Sequence, residues 1–253
     1  MTMGTVAQMM DLSGRKALVA GGAGHIGRAV GETLVELGAN VSILDLDMSA
    51  CLERVSSLTK IRESSASAIS ADLSDEKSTR SAVQKTIEKL GGLDILVHCA
   101  AYVGTTQSPG WAVPFEQQTV AAWDTALRVN LTSAFVMIQA ARTALAASGN
   151  GSVVLFGSMY GVIGPDFRLY ENTSMANPAG YGASKGGLLQ LMRYLATALA
   201  PQIRVNAISP GGVWRDQPEA FQQRYMARTP LARMAKEEDM KGATAYLASD
   251  LSA

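Results

Sequence analysis

Residues 16–27 read KALVAGGAGHIG, and the fold can be worked out from this stretch outward. Its first part, Lys16–Ala20, is almost entirely apolar and predicts a buried β-strand. Three glycines follow before a predicted helix, Ile26–Leu37, and they permit a tight turn beside the free amides of that helix. A strand, a glycine-rich turn and a helix in this order are typical of a loop that binds a dinucleotide pyrophosphate. For this stretch alone, a purely structural glycine turn is the alternative.

The same succession of apolar run, turn and helical stretch recurs along the chain, which predicts βαβ units and a parallel sheet. The predicted strands are Lys16–Ala20, Val41–Asp45, Ser67–Ala71, Leu93–His98, Ser152–Gly157 and Arg204–Ser209. The predicted helices are Ile26–Leu37, Ser49–Lys60, Asp75–Leu90, Trp123–Ala147 and Tyr181–Ala200. We expect one domain over residues 1–253, an α/β/α sandwich with a ligand site at the carboxyl ends of its strands.

The composition excludes several classes of protein. Of the 253 residues, 47% are hydrophobic and 17% are charged, which lies outside the range of disordered chains. Lys plus Arg and Asp plus Glu each total 22, so a nucleic-acid partner is not expected. Cys51 and Cys99 are not spaced as zinc ligands, and we expect reduced thiols and no metal site. Because we see no signal peptide or membrane span, we expect a cytoplasmic protein without membrane contact.

The second predicted strand ends at Asp45, where an acidic side chain can accept hydrogen bonds from the hydroxyls of an adenosine ribose. A carboxylate there repels the 2′-phosphate of NADP, and residues 46–48 contain no Arg or Lys to neutralise that phosphate. The sequence therefore predicts NAD as the cofactor, with NADP disfavoured. A carboxylate that only caps a turn is the alternative.

Tyr181 and Lys185 lie four residues apart at the start of a predicted helix, so their side chains share one helical face. An ammonium group near a phenol lowers the phenol pKa, as a general base for an alcohol requires. Ser158, at the end of the fifth predicted strand, can hydrogen-bond the same substrate oxygen. A surface pair without a catalytic role is the alternative for Tyr181 and Lys185 alone.

Several short segments along the chain are informative when their order and spacing are considered together. They are residues 20–27, Asp72-Leu73, His98-Cys99-Ala100-Ala101, Asn130, Ser158, the Tyr181/Lys185 pair and Pro210-Gly211. In this order and spacing, the chain resembles the classical short-chain dehydrogenases/reductases over almost its whole length. The resemblance implies a Rossmann-type, doubly wound parallel sheet of strand order 3-2-1-4-5-6. It also implies hydride transfer between a nicotinamide cofactor and a secondary alcohol or ketone.

The resemblance implies four catalytic residues. Tyr181 is the acid/base, Lys185 lowers the pKa of Tyr181 and holds the nicotinamide ribose, Ser158 fixes the substrate oxygen, and Asn130 supports a water chain to Lys185. The expected cofactor contacts are Gly21, Gly24, His25, Ile26, Gly27, Asp45, Asp72, Leu73, Cys99, Ala100, Ala101, Tyr181, Lys185, Pro210, Gly211 and Val213.

The chain departs from the family pattern at several places. His25 replaces the middle glycine of the loop, and His98-Cys99-Ala100-Ala101 replaces the usual Asn-Asn-Ala-Gly. Arg215 stands where a Thr near the carboxamide is common. The sequence stops at Ala253, where the family usually continues into a seventh strand, so we expect either that the natural chain is longer or that the sheet has six strands.

Residues 159–178 are longer than the corresponding segment of typical members and are expected to shape the substrate site. We call them the insert. Their polar residues, Asp166, Arg168, Tyr170, Glu171 and Asn172, favour a hydroxyl-rich or phosphate-bearing substrate, and a solvated surface loop is the alternative. Residues 212–228 resemble the family's substrate lid, whose three aromatic residues could equally be ordinary packing.

The sequence thus predicts an NAD(H)-dependent oxidoreductase for a sugar-derived or other polar substrate, and a homodimer or homotetramer. The insert, together with the later residues 211–219, resembles a subgroup linked to bacterial surface-sugar and flagellin-modification pathways. An NADPH-dependent ketoacyl or carbonyl reductase is one alternative, against which Asp45 argues. A non-catalytic nucleotide-binding sensor is the other, although such a sensor needs none of the four catalytic residues.

Overall fold

The computed structural model describes residues 4–103, 106 and 108–253. In this part of the chain, six parallel strands form one sheet of order β3-β2-β1-β4-β5-β6, as predicted. The strands are β1 (Lys16–Ala20), β2 (Asn40–Asp45), β3 (Ala66–Ser70), β4 (Ile95–His98), β5 (Gly151–Phe156) and β6 (Ile203–Ile208). From β1 the chain adds β2 and β3 on one side of the sheet and then returns to add β4, β5 and β6 on the other side. A crevice therefore opens between β1 and β4 at the carboxyl ends of the strands.

Helices cover both faces of the sheet. They are α1 (Val6–Met10), α2 (His25–Glu36), α3 (Met48–Thr59), α4 (Glu76–Leu90), α5 (Val120–Leu127), α6 (Ser133–Ala147), α7 (Ala179–Ala198), α8 (Glu219–Ala227) and α9 (Asp239–Ala248). Leu18 and Ala20 of β1 pack toward α4, α6 and α7, whereas Ala17 and Val19 pack toward α2, α3 and α9. Because both faces of the inner strands β2, β1, β4 and β5 are buried, these strands are mostly apolar rather than alternating, which is why they could be predicted. The edge strands β3 and β6 are less buried.

The prediction of one continuous helix over Trp123–Ala147 is wrong in one respect. Residues Arg128–Thr132 form a π-helical turn between α5 and α6. Within this turn, the buried Asn130 uses its side chain to bind the main chain of Tyr102. The turn widens the helix where Asn130 is pulled toward the end of β4, and such turns are frequent at functional sites.

No helix within the described ranges is long and apolar enough to cross a membrane.

His98 ends β4 and is fully buried. The hydroxyl of Ser133 donates to the carbonyl oxygen of Val129 at 2.7 Å, so the Nε2–H of His98 donates to that hydroxyl, also at 2.7 Å. Nδ1 of His98 has no hydrogen-bond partner among the described atoms. Burial, and secondly the charge of Lys185, lowers the pKa of His98 to about 3. The imidazole is therefore neutral at physiological pH.

This buried imidazole makes the fold acid-sensitive. Between about pH 7 and about pH 5, His98 takes up a proton in the unfolded chain but not in the folded one, which lowers the free energy of unfolding by about 2 kcal/mol. Urea denaturation at the two pH values measures this loss, and His98→Gln should remove it. His25→Gln, a substitution at an exposed position, is the matched control and should lose as much stability as the wild type. Equal losses in all three proteins would contradict the assignment.

Candidate active site

Residues 21–24, which we call the glycine loop, lie between β1 and α2, as the sequence predicts. Gly21 has a positive φ of 72°, and a Cβ there would lie 2.5 Å from the main-chain nitrogen of Ala100. A Cβ on Gly27 would collide with the carbonyl oxygen of Gly21. The loop therefore passes directly against the segment after β4 and against the first turn of α2, and neither approach leaves room for a side chain.

The amino end of α2 is open toward the crevice. Its N-cap, Gly24, has no side chain to satisfy the first helical amides, which belong to His25, Ile26 and Gly27. Uncapped amides at the positive end of a helix dipole suit an anion such as a pyrophosphate. The side chain of His25 is exposed, with Nδ1 3.7 Å from Oε1 of Glu237. The loop thus fits a dinucleotide with the imidazole in place of the family's middle glycine.

Asp45 lies against the glycine loop. One carboxylate oxygen accepts a hydrogen bond from the amide of Ala23 at 3.1 Å, and the other accepts one from the amide of Leu46 at 2.8 Å. The carboxylate therefore has a structural role in joining β2 to the loop. It remains half-buried at the edge of the crevice, so it also brings a negative charge to this edge.

The other predicted cofactor contacts also lie at the carboxyl edge of the sheet. The amide of Cys99 donates to the carbonyl oxygen of Ala20 at 2.8 Å, and burial raises the pKa of the Cys99 thiol. Asp72 is exposed and accepts a hydrogen bond from the amide of Ser74 at 2.8 Å. The carbonyl oxygen of Pro210 accepts one from the amide of Met159 at 3.1 Å. The remaining members of this set are Leu73, Ala100, Ala101, Gly211 and Val213.

Three predicted catalytic residues meet near the carboxyl end of β5 and the amino end of α7. Nζ of Lys185 is fully buried, donates to the carbonyl oxygen of Phe156 at 2.7 Å, and lies 5.9 Å from the ring centroid of Tyr181. Ser158 follows β5, is buried, and accepts a hydrogen bond from the amide of Tyr160 at 3.1 Å. Its hydroxyl also lies near enough to Tyr181 to favour the ionised phenol, which lowers the pKa of Tyr181.

The pKa of Tyr181 differs from the expectation. Burial raises it, while the nearby Ser158 hydroxyl and the charge of Arg215 act in the opposite direction. The ammonium of Lys185 is itself disfavoured by burial, which lowers its pKa to about 8. Desolvation therefore outweighs the lowering of the Tyr181 pKa that the sequence predicted.

Asn130 is joined to this group through α7. Its side-chain amide donates to the hydroxyl of Ser184 at 2.9 Å, and that hydroxyl donates to the carbonyl oxygen of Tyr181 at 2.8 Å. Together with the contacts to Tyr102, these bonds occupy the Asn130 side chain. A water chain to Lys185 would therefore have to start from the main chain of this residue.

One residue near the site, Tyr160, was missed by the sequence analysis. The hydroxyl of Tyr160 lies 3.1 Å from that of Tyr170, and the amide of Asn177 donates to the Tyr170 hydroxyl at 3.2 Å. Burial and the neighbouring Tyr170 raise the pKa of Tyr160, so its hydroxyl stays protonated. The position of Tyr160, two residues after Ser158, was the signal that could have identified it.

The insert packs against the predicted lid. Tyr170 contacts Phe221 with ring centroids 5.3 Å apart, and Phe221 contacts Tyr225 at 5.8 Å. Both lid aromatics are buried, whereas Trp214 is half exposed. The hydroxyl of Tyr225 accepts a hydrogen bond from the amide of Gly212. Phe221 and Tyr225 are therefore packing residues, which was the alternative interpretation.

Most polar side chains of the insert are engaged or exposed. Asp166 pairs with Arg168 at 2.8 Å and with Arg228 at 2.9 Å, which ties the insert to the lid a second time. Glu171 and Asn172 are exposed. Only Tyr170 of the five polar residues named from the sequence lines the cavity that the insert forms with residues 112–118. That cavity has a volume of about 540 Å³, and we call it the side cavity.

Comparisons with known proteins agree with this geometry. A family model described as enoyl-(acyl carrier protein) reductase matches residues 21–253. A probable galactose dehydrogenase from Rhizobium meliloti is 31% identical over 98% of this chain and 93% of that protein.

Two solved structures share the fold. A xylitol dehydrogenase bound to NAD⁺ is 26% identical with a TM-score of 0.82, covering 95% of this chain and 94% of that one. An NADPH-dependent 3-quinuclidinone reductase from Rhodotorula rubra is 26% identical with a TM-score of 0.83, covering 100% of this chain and 91% of that one. With the family model matching nearly the whole sequence, the chain belongs to the short-chain dehydrogenase/reductase family.

Proposed function

We propose that this protein is an NAD(H)-dependent oxidoreductase that interconverts a secondary alcohol and a ketone. The observation that carries the proposal is the meeting of Ser158, Tyr181 and Lys185 at the carboxyl edge of the sheet, the edge at which the glycine loop and the uncapped amino end of α2 also lie. A nicotinamide cofactor, when bound, supplies or accepts the hydride. The glycine loop, Asp45 and the segments after β3, β4 and β6 would hold it.

The protein's own part in the reaction is to hold the substrate oxygen and move a proton. In reduction, the Tyr181 hydroxyl donates its proton to the carbonyl oxygen, and Ser158 donates a hydrogen bond to the same atom. In oxidation, the phenolate of Tyr181 takes the proton from the alcohol. The ammonium of Lys185, held by Phe156, favours that phenolate because it brings a positive charge to a buried site.

Asp45 supports NAD over NADP. Its carboxylate lies at the edge of the crevice, and the adjacent loop residues 22–24 and 46–48 carry no positive charge that could offset a 2′-phosphate. The relatives include both an NAD⁺-bound and an NADPH-dependent enzyme, so this preference rests on the charges of this chain.

The reacting end of the substrate is proposed to be polar and hydroxylated, as in a sugar-derived alcohol. The galactose and xylitol dehydrogenases among the relatives support this, as do the clustered hydroxyls of Tyr160 and Tyr170 near Ser158. The link to surface-sugar and flagellin-modification pathways is part of the same proposal. An NADPH-dependent ketoacyl or carbonyl reductase is the second candidate, because the side cavity is largely apolar.

We further propose that residues 1–253 act as one dinucleotide-binding domain, with the insert and the lid, residues 212–228, forming the substrate wall. The contacts of Tyr170 with Phe221 and of Asp166 with Arg228 support that division. A cytoplasmic homodimer or homotetramer remains the proposed form. A sensor role without catalysis is disfavoured, since Asn130, Ser158, Tyr181 and Lys185 are all present.

Tyr181→Phe tests the acid/base assignment. The variant keeps the ring but loses the transferred proton, so we expect turnover to fall by about a hundredfold to ten-thousandfold. Fluorescence titration should show nearly unchanged NADH affinity. Tyr194→Phe, at an exposed tyrosine of the same helix, is the matched control and should retain wild-type turnover. Full activity in the Tyr181→Phe variant would refute the assignment.

Asp45→Ala tests the cofactor preference. Loss of a charged hydrogen-bond acceptor should weaken NADH binding by about tenfold to a hundredfold and narrow its advantage over NADPH. Titration with both cofactors measures the ratio. Asp11→Ala is the control: this aspartate also accepts hydrogen bonds, from Ser13, but precedes β1 at the opposite edge of the sheet. An unchanged ratio in Asp45→Ala, with the fold intact by circular dichroism, would show that Asp45 does not read the ribose.

A further inference from the structure

The side cavity lies at the amino end of α7, the helix that carries Tyr181, although Tyr181 itself does not line it. Ala179 and Gly182, which flank Tyr181 on α7, both line it. Its volume of about 540 Å³ is within the range of about 300–1,000 Å³ typical of small-molecule sites. The cavity is therefore large enough to take part of a substrate whose reacting carbon lies at Tyr181.

The walls of the side cavity are mostly hydrocarbon. Val113, Pro114 and Phe115 form one wall, and Phe167 and Met175 of the insert form part of the other. Among the described residues that line it, none is an Asp, Glu, Lys or Arg. A group that enters this space therefore meets carbon on two sides and no charge.

Four of the polar side chains that line the cavity, those of Gln118, Tyr170, Thr173 and Asn177, already have hydrogen-bond partners within the protein. Gln118 donates to the carbonyl oxygen of Val113 at 3.2 Å and accepts from the amide of Ala179 at 3.1 Å. The hydroxyl of Thr173 donates to the carbonyl oxygen of Tyr170 at 2.7 Å. Substrate hydroxyls placed here would lose hydrogen bonds to water with little in exchange, whereas a hydrocarbon group would gain by leaving water.

Tyr170 connects the side cavity to the reacting groups. Its ring lines the cavity, and its hydroxyl lies 3.1 Å from that of Tyr160, two residues after Ser158. A substrate that spans Tyr170 thus meets hydroxyl groups at its reacting end and carbon beyond it.

We propose that the side cavity binds a hydrocarbon group of the substrate, which is then a secondary alcohol or ketone with an alkyl or cycloalkyl substituent. This inference rests on the proposed function, since it assumes that the reacting carbon lies at Tyr181. It narrows the substrate class beyond a sugar-derived alcohol, because a free sugar carries no such group.

Oxidation of 2-butanol, 2-hexanol and 2-octanol with NAD tests the inference. Each added methylene that the cavity buries should raise kcat/KM by about fourfold, mainly through a lower KM. Ala176→Trp puts an indole into the cavity and should flatten this dependence on chain length. Val113→Thr keeps the shape but adds a hydroxyl, and it should reduce the gain per methylene. Ala147→Trp, at an exposed position at the far end of α6, is the matched control and should keep the wild-type dependence.

Binding of the same alcohols by calorimetry separates this inference from the proposed function. If the wild type oxidises no alcohol but binds 2-octanol more tightly than 2-butanol, and Ala176→Trp loses that binding, the proposed function is wrong, and of the inference only the binding of a hydrocarbon group in the side cavity stands. If xylitol or galactose is oxidised while 2-octanol is neither oxidised nor bound, the inference is wrong and the proposed function holds. Light scattering covers a third outcome: a changed oligomeric mass in Ala176→Trp with unchanged 2-octanol binding would make the cavity a contact between copies and overturn the inference.

Discussion

The ammonium group of Lys185 lies in the protein interior and donates a hydrogen bond to the carbonyl oxygen of Phe156. Removing this charge from water is unfavourable, as its lowered pKa reflects, so the bond to the end of β5 is important for keeping it in place. The same bond fixes α7 against β5. It thereby sets Tyr181, one turn earlier, next to Ser158, which follows β5. The reactive geometry thus depends on a buried charge held by one main-chain oxygen.

The position of that oxygen follows from the sheet. Because the inner strands are mostly apolar on both faces, they lie buried between two helical layers, and the parallel order of all six strands brings their carboxyl ends to one edge. The glycine loop after β1, the segment after β4 and Ser158 after β5 are neighbours for this reason. Gly21 then allows the first two of them to touch. Residues far apart in the sequence therefore line one crevice because the sheet topology brings the strand ends together.

Much of this could be predicted from the sequence, and the failures have a common cause. The strands themselves and the glycine loop follow from apolar runs and turn residues, which are local signals, whereas the strand order came from the resemblance to a known family. The π-helical turn was missed because it depends on Asn130 binding Tyr102, a contact between residues distant in sequence. The pairing of polar residues within the insert could not be predicted for the same reason, since Asp166 is engaged by Arg168 and by Arg228 of the lid. Composition shows which polar groups exist but not which of them are already paired.

The insert and the lid share one apolar cluster, which constrains how the substrate wall can move. Leu169 of the insert, Phe221 and Tyr225 of α8 and Met234 are buried together, and Tyr170 packs against them. The exposed ion pair between Asp166 and Arg228 contributes little beside this apolar burial. Separating α8 from the insert would expose the cluster and disturb Tyr170, the residue that borders both the side cavity and the reacting groups. A movement of the lid would therefore disturb the proposed substrate site through the ring of Tyr170.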